Sequence, residues 1–341
     1  MAKSVIERQA EAAGVVPPEV QVAPSPHLSD STFTTRRMMT DVILALVPAM
    51  IAALVVFQWY SVKVVGLCVL TALAAEAVFN RMRGRSIDSI YDGSAAVTGI
   101  ILGLSLPWSA PWYVPVVGSV IAIGIGKAMF GGLGYNMFNP AMVGRAFVML
   151  SFAKALGASA YVNPEASLAA LTQATPLTAA KAAAGQAGLE LWPLFLGNVN
   201  GSLGETSALA LLIGGVYLCW RRSADWRIPA AVIVSTFLLG GLANLTEVSP
   251  IAAHTHLLAG SLLFGAFFIA TDPVSSPLTP WAKVIFGAGI GFFVVLLRVF
   301  SSYPEGVMFA VLLMNGLVPL FNRLTVPRPL GGPAPEATQQ G

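Results

Sequence analysis

The stretch 131-GGLGYNMFNP-140 lies between two apolar runs, 112–130 and 140–160, and its composition limits the folds that the chain can adopt. Its glycines and asparagines carry polar groups that hydrocarbon cannot satisfy. Backbone this irregular is tolerated at membrane depth only where protein buries it or where it lines a cavity. We therefore expect a broken helix inside a membrane protein at this stretch.

The composition of the whole chain supports that expectation. Apolar residues make up 56% of the sequence and charged residues only 10%, and the mean hydropathy is +0.74. A soluble domain carries roughly a quarter charged residues, so this chain has too few to cover a water-exposed surface. Cys68 and Cys219 both lie in apolar runs, which favours buried thiols over a disulfide.

Apolar runs long enough to cross or enter a membrane recur along the chain. About 20 residues are needed for a spanning helix, and several runs are shorter, which predicts tilted, broken or half-membrane helices. The sequence therefore predicts an all-α polytopic membrane protein of about ten transmembrane helices, at residues 42–60, 62–80, 94–108, 112–130, 140–160, 204–220, 228–246, 253–271, 281–299 and 304–322.

Lysine and arginine predict the orientation of these spans. With the N-terminus inside, the outer side keeps only Lys63, Lys154, Lys181 and Arg298 of the 19 basic residues. Cytoplasmic loops collect positive charge in membrane proteins. We therefore expect both termini in the cytoplasm and loop 161–203 on the outer side.

One internal offset of 164 residues aligns several landmarks. It places Asp41 on Glu205, Pro140 on Pro304 and the glycine-rich segment 94–107 on 258–271. A unit of five spans is odd, so its second copy must be inverted, and inverted repeats place ligand sites at the interface between halves. The predicted divisions are an N-terminal segment (1–40), a first repeat (41–160), the outer loop (161–203), a second repeat (204–322) and a C-terminal tail (323–341).

Acidic residues within or beside the spans are candidates for an ion path, because an ionisable group in hydrocarbon is costly. Each also has a structural alternative. Glu205 and Glu305 are predicted in first helical turns, where the helix dipole favours a carboxylate, and Asp272-Pro273 suits an Asx turn. Glu76 lies closer to the middle of a span, where a structural and a functional role are about equally favoured. The candidates are Glu76, Glu205, Asp272 and Glu305.

Three polar residues are candidates for a cofactor site. Asn136 and Asn139 either cap the ends of the broken helix or hold a planar polar ligand. Thr175, in 171-LTQATPLT-178, is typical of an N-cap that precedes Pro176 in the first turn of a helix. The histidines lack metal-ligand spacing, so no metal site is predicted, and no nucleotide-binding glycine motif or cysteine cluster is present.

Four runs of this sequence carry a resemblance to a known family: 131–147, 201–215, 267–280 and 303–320. They resemble the D subunits of the Rnf electron-transport complexes (RnfD) and, more distantly, the B subunits of the sodium-translocating NADH:quinone reductases. The likeness extends over about residues 24–322. It implies a membrane subunit of a translocase with six subunits, which couples electron transfer between NADH and ferredoxin or flavodoxin to Na⁺ or H⁺ movement.

The resemblance also implies cofactors. Family members carry FMN joined through its phosphate to a threonine in a Ser/Thr-Gly-Ala-Thr motif, and the matching residues here are Thr172-Gln173-Ala174-Thr175. Thr175 is thus the implied phosphothreonyl-FMN site, and a flavin transferase is an implied partner. Gln173 replaces the family's glycine, and Ala169 stands where an acidic residue often precedes the motif.

By the same resemblance, Asn136 and Asn139 are implied contacts of a non-covalent riboflavin. The implied partners are the A, B, C, E and G subunits of the Rnf type. This family is thought to share the fold of urea-type channels, so a solute channel without a redox role is the competing prediction. A structural scaffold is a third. A covalent FMN adduct separates the electron-transfer subunit from both.

Overall fold

The computed structural model describes residues 34–85, 87–157, 175–178, 191–197, 199–301 and 306–326. Its first half contains α1 (Thr35–Phe57), α2 (Trp59–Met82), a 3₁₀ helix (Ile87–Asp92), α3 (Ser94–Ser105), α4 (Tyr113–Ile123), α5 (Pro140–Ser151) and α6 (Ala153–Leu156). A π-helical turn, Gly124–Ala128, continues α4. These elements cover the predicted first repeat.

The second half begins after α7 (Leu191–Leu196). It contains α8 (Ala208–Trp220), α9 (Arg227–Leu245), α10 (Ala253–Leu258), α11 (Leu262–Phe264), α12 (Pro280–Phe300) and α13 (Val307–Leu324). A second π turn, Gly265–Ile269, continues α11. Within the described residues, five helices are long and apolar enough to cross a membrane, and α3, α4, α5 and α8 are shorter apolar helices. The predicted all-α polytopic membrane fold is confirmed.

Short polar side chains set where several helices begin. The hydroxyls of Thr34, Ser207 and Thr279 each accept a hydrogen bond from a backbone N–H in the first turn of the helix that follows. Such N-caps satisfy donors that the helix leaves unpaired. Pro140 and Pro280 occupy the first turns of α5 and α12, where a missing N–H costs nothing.

The helices of the two halves repeat the same packing. Helix α2 packs against α3 and α4, and α9 packs against α10 and α12; α4 then contacts α5 as α12 contacts α13. Equivalent helices also meet each other, α1 with α8 and α5 with α13. Contact between equivalent elements is what a two-fold relation between repeats produces.

The carboxylate of Asp41 shows that α1 and α8 run in opposite directions. Asp41 lies near the start of α1, yet its Oδ2 accepts a hydrogen bond from Ser223 Oγ (2.7 Å), and its Oδ1 lies 3.2 Å from a guanidinium nitrogen of Arg221, just after the end of α8. The start of one repeat's first helix therefore lies beside the end of the other's. This is the arrangement expected for inverted repeats.

Close helix contacts depend on glycine. A Cβ on Gly99 would lie 2.7 Å from the Cα of Val69, and one on Gly103 would lie 2.8 Å from the Cα of Val65. These two glycines, four residues apart on α3, let its backbone approach that of α2. Small residues at this spacing are a common device of membrane helices, where packing replaces the hydrophobic effect between helices.

Two groups of exposed aromatic side chains mark the two ends of the helix bundle. We call the end that holds Arg85, Arg221 and Lys283 the basic face, and the opposite end the loop face. Aromatic residues concentrate at both membrane–water interfaces. Near the loop face lie Trp59, Tyr60, Trp112, Tyr113 and Trp192, and near the basic face lie Tyr91, Tyr135, Trp220, Trp226 and Trp281.

An ion cluster ties the α8–α9 turn to the start of α12 at the basic face. Asp225 Oδ2 lies 2.8 Å from Lys283 Nζ and 3.2 Å from a guanidinium nitrogen of Arg227. Partial burial raises the pKa of the Asp225 carboxyl, but hydrogen bonds from Lys283 and the Arg227 backbone, with both positive charges, outweigh it and lower the pKa below its usual value.

This cluster predicts a loss of stability at acidic pH. A carboxyl whose pKa is lowered by folding contributes stability above its unfolded pKa and loses it as the pH falls through the folded value. Thermal unfolding of the detergent-purified chain should therefore lose stability below about pH 4, and Asp225→Asn should remove part of that dependence. Glu247→Gln, at an exposed position, is the control and should leave it unchanged.

Candidate functional site

A pocket opens between the two repeats near the basic face. It holds about 720 Å³ of empty space, part of it open to solvent. We call it the central pocket. Apolar side chains such as Met39, Ile101 and Phe268 form much of its wall, and its polar lining consists of Ser94, Thr98, Lys127, Asn136, Asn139, Ser223, Thr271 and Asp272.

The glycine-rich stretch forms one side of this pocket. Gly131, Gly132 and Gly134 have φ angles of 124°, 103° and 93°, which a residue with a Cβ rarely adopts. Their backbone turns the chain from the end of α4 toward α5, and the Gly131 carbonyl accepts a hydrogen bond from the Arg85 guanidinium. The predicted irregular segment thus lines a cavity through Leu133, Asn136 and Asn139, as its polar composition requires, while Tyr135 and Met137 are exposed.

Asn139 has the capping role, one of the two alternatives that the sequence left open. Its Oδ1 accepts hydrogen bonds from the N–H groups of Ala141 (3.0 Å) and Met142 (3.3 Å) at the start of α5. Its Nδ2 donates to the carbonyl of Ile269 (3.3 Å), at the end of the π turn in the other repeat. Asn139 therefore holds the two repeats together beside the pocket.

Unlike Asn139, Asn136 has one side-chain polar atom without a hydrogen-bond partner among the described residues. Its Nδ2 donates to the Phe138 carbonyl (3.1 Å), but its buried Oδ1 has no hydrogen-bond partner among the described residues. The residue is only 4% exposed. A buried amide oxygen without a partner is costly, and a ligand with a donor group in the central pocket would satisfy it.

The sequence did not predict the ion pair that borders the pocket. Lys127 Nζ lies 2.7 Å from Glu76 Oε1, and both side chains are almost fully buried. The same ammonium donates to Ser94 Oγ (2.5 Å), which in turn donates to Asp92 Oδ1 (2.5 Å). A lysine inside the apolar run 112–130 is the available signal in the sequence, but nothing local shows which carboxylate it meets.

The remaining acidic candidates have structural partners. Asp272 forms the predicted Asx-type turn, since its Oδ1 accepts from Val274 N (3.3 Å) and its Oδ2 from Ser275 Oγ (2.8 Å). Glu205 does not lie in a first helical turn as expected, because α8 begins later, at Ala208. Its Oε1 instead accepts from the backbone of Ser202, within the turn before the helix. Glu305 lies outside the described residues.

Thr175 begins a single helical turn, residues 176–178, near the loop face. Its Oγ1 lies 2.8 Å from the Thr178 hydroxyl and accepts a weak hydrogen bond from Thr178 N (3.4 Å). The predicted N-cap is therefore present. Leu177 is buried against Leu194 and Ile251, which anchors the turn to the second repeat while the threonine side chain stays half-buried rather than enclosed.

These features define a polytopic α-helical membrane protein with two related five-helix units and a pocket between them. A family model matches residues 21–331 and is described as the NQR2, RnfD, RnfE family. Because this match spans most of the sequence, the chain belongs to that family.

The sequence is similar to that of several named relatives along nearly their whole length. One is the D subunit of the Na⁺-translocating ferredoxin:NAD⁺ oxidoreductase complex of Acetobacterium woodii, 39% identical over 91% of this chain and 95% of the relative. The D subunit of the proton-translocating ferredoxin:NAD⁺ oxidoreductase complex of Clostridium ljungdahlii is 36% identical over 91% and 96%. The D subunit of the ion-translocating oxidoreductase complex of Stutzerimonas stutzeri is 38% identical over 86% and 92%.

Proposed function

We propose that this chain is the D-type membrane subunit of an ion-translocating ferredoxin:NAD⁺ oxidoreductase complex. Its similarity to relatives of that name spans both repeats and the loop between them, so the architecture of the relatives' subunit is retained throughout. Its partners are the A, B, C, E and G subunits of the Rnf type, and NADH and ferredoxin or flavodoxin bind to those partners. The coupled ion is Na⁺ or H⁺, as in the two relatives.

The proposed location is the bacterial inner membrane, with both termini in the cytoplasm. The basic face then faces the cytoplasm, and the loop face lies outside. The lysine and arginine distribution supports this orientation. The exposed aromatic residues at both ends of the bundle support its placement across a membrane.

Thr175 is the proposed attachment site of FMN. Its hydroxyl is half-buried and held by Thr178, so that it is fixed in position yet open to a flavin transferase. The phosphoester would join the flavin phosphate to Thr175 Oγ1. The buried Leu177 next to it would hold the modified residue against the second repeat.

The central pocket is the proposed site of a non-covalent riboflavin. Its walls are largely apolar with a few polar groups, as is usual for small-molecule sites, and the buried Asn136 Oδ1 needs a donor. Asn136 would bind the polar edge of the ring, and Asn139, already occupied by its cap, would hold the loop in shape. A flavin at such a site supplies one- and two-electron exchange, while the protein sets its position and potential.

The two flavin sites belong to opposite ends of the bundle. Thr175 is anchored at the loop face, whereas the central pocket lies near the basic face, beside Lys127 and Ser223. We infer that the subunit relays electrons between these ends, together with flavins of neighbouring subunits. Among the acidic candidates for the ion path, Glu76 is the best supported, because it is deeply buried within a span beside the pocket.

The Asn136→Leu variant tests whether the central pocket binds riboflavin and whether electron transfer depends on it. Removal of the Asn136 amide oxygen, which has no partner among the described residues, should lower extractable riboflavin in the purified chain to background. The activity assay uses washed membranes of a strain that lacks the chromosomal copy. Wild type should restore ferredoxin-dependent NAD⁺ reduction there, and Asn136→Leu should restore less than about a tenth of it. The reason is that loss of a buried hydrogen bond to the ligand weakens binding by about tenfold or more.

A matched control is Asn244→Leu, because Asn244 also donates to a backbone carbonyl, that of Ser249, but lies at the end of α9 and away from the pocket. It should retain both riboflavin and activity. Equal riboflavin content in wild type and Asn136→Leu would contradict the assignment of the pocket.

A further inference from the structure

Lys127 stands between two cavities. It lines the central pocket together with Ser94, and it lines a smaller cavity together with Glu76, Asn80 and Arg83. Both neighbours bind its ammonium, Glu76 at 2.7 Å and Ser94 at 2.5 Å. An ammonium has three N–H donors, and these bonds use two of them. The third remains for an acceptor in the pocket.

The backbone that carries Lys127 is a π turn, Gly124–Ala128. Single π turns interrupt α-helices frequently at functional sites. Here glycine allows the turn to pack closely, since a Cβ on Gly126 would lie 2.9 Å from the Cα of Pro140, and one on Gly124 would lie 2.8 Å from Phe79 Cζ. The packing fixes the start of the lysine side chain, whereas its ammonium is shared between Glu76 and the pocket.

We infer that Lys127 links ligand binding in the central pocket to the protonation of Glu76. A carboxylate at Glu76 holds the ammonium and neutralises its charge. When Glu76 takes up a proton, that hold weakens, and the positive charge acts on an electron-rich ligand in the pocket. Such linkage is reciprocal, so a ligand that engages Lys127 favours proton uptake by Glu76. This inference rests on the flavin pocket proposed above.

Other charges near Glu76 belong to different elements and do not replace Lys127. Arg83, at the end of α2, borders the same small cavity. Asp92, on the 3₁₀ helix, reaches Lys127 only through Ser94 Oγ. Asp272, on the other repeat, lies across the central pocket and is bonded within its own turn. Lys127 is the group that contacts both Glu76 and the pocket.

The test is riboflavin binding to the full-length chain, purified in detergent and washed free of extractable flavin, measured by quenching of riboflavin fluorescence across about pH 5 to 9. Wild type should bind about tenfold more tightly at the acidic end, the effect of one hydrogen bond to a charged group. Glu76→Gln should bind tightly at every pH, and Glu76→Asp should keep the pH profile.

Lys127→Met alone leaves a buried carboxylate without its cation and is expected to fold poorly. The double variant Glu76→Gln/Lys127→Met removes both charges, so it should fold and bind weakly with no pH dependence. If Glu76→Gln has the affinity and pH profile of wild type, the linkage is wrong while the flavin pocket stands. If wild type binds riboflavin no better than Asn136→Leu, the pocket assignment fails and the linkage with it.

Discussion

Thr175→Ala is expected to abolish the covalent flavin of this chain, seen as a complete loss of its fluorescent band on a denaturing gel. The reason is chemical, because a phosphoester needs the side-chain hydroxyl and alanine has none. The structural cost is small: the threonine caps a single turn, and loss of an N-cap costs about 1 kcal/mol. Loss of fluorescence with normal chain abundance would therefore report on attachment rather than on folding.

Two neighbouring substitutions make this result specific. Thr178→Ala removes the hydroxyl that lies 2.8 Å from Thr175 Oγ1 but leaves the acceptor, so the fluorescent band should remain. Thr175→Ser keeps a hydroxyl and should retain flavin at a reduced level. A fluorescent band of wild-type strength in Thr175→Ala would show that the flavin is attached elsewhere.

Gly214→Ala is expected to destabilise the contact between the two repeats more than any single-methyl change nearby. A Cβ at this position would overlap the carbonyl oxygen of Ala45 on α1 and would lie 2.9 Å from Phe268 Cζ. Backbone oxygen cannot move aside without shifting a helix. Overpacking of this kind costs about 1–3 kcal/mol, and it acts at the crossing of α1 and α8, the equivalent helices of the inverted repeats.

Gly66→Ala is the matched control, because Gly66 is also within a helix and a Cβ there would meet no atom within 4 Å. Alanine is the better helix former by roughly 0.5–1 kcal/mol, so this variant should be neutral or slightly stabilised. Thermal unfolding of the detergent-purified chains would measure both. Equal melting temperatures for the two variants would refute the close packing of α1 against α8.

The helices were predictable because their determinants are local. The lengths of the apolar runs predicted the spans, and the predicted span 94–108 corresponds to the short helix Ser94–Ser105 in the structure. The run 253–271 became α10, α11 and a π turn, whose break around Gly260 (φ 76°) follows from a glycine that the sequence shows. Residue type and position made a cap one of the two alternatives for Asn139 and the local expectation for Thr175, and the structure contains both caps.

Contacts between residues distant in sequence were beyond sequence reasoning. Lys127 and Glu76 are 51 residues apart, and nothing local shows that an apolar-run lysine and a mid-span glutamate meet. The bond from Asn139 to Ile269 spans 130 residues and depends on how the halves dock. The prediction for Glu205 was wrong because α8 begins later, at Ala208, with Ser207 as its N-cap. Glu205 lies in the preceding turn, where its carboxylate accepts a hydrogen bond from Ser202 N.

The most direct measurement of the central claim is a flavin inventory of the wild-type chain purified from its native membranes. Intact mass should show one FMN phosphoester per chain, with the modified peptide containing Thr175, and denaturing extraction should release riboflavin in addition. A chain of unmodified mass that releases no flavin would contradict the account and would favour a channel or a scaffold on the same fold.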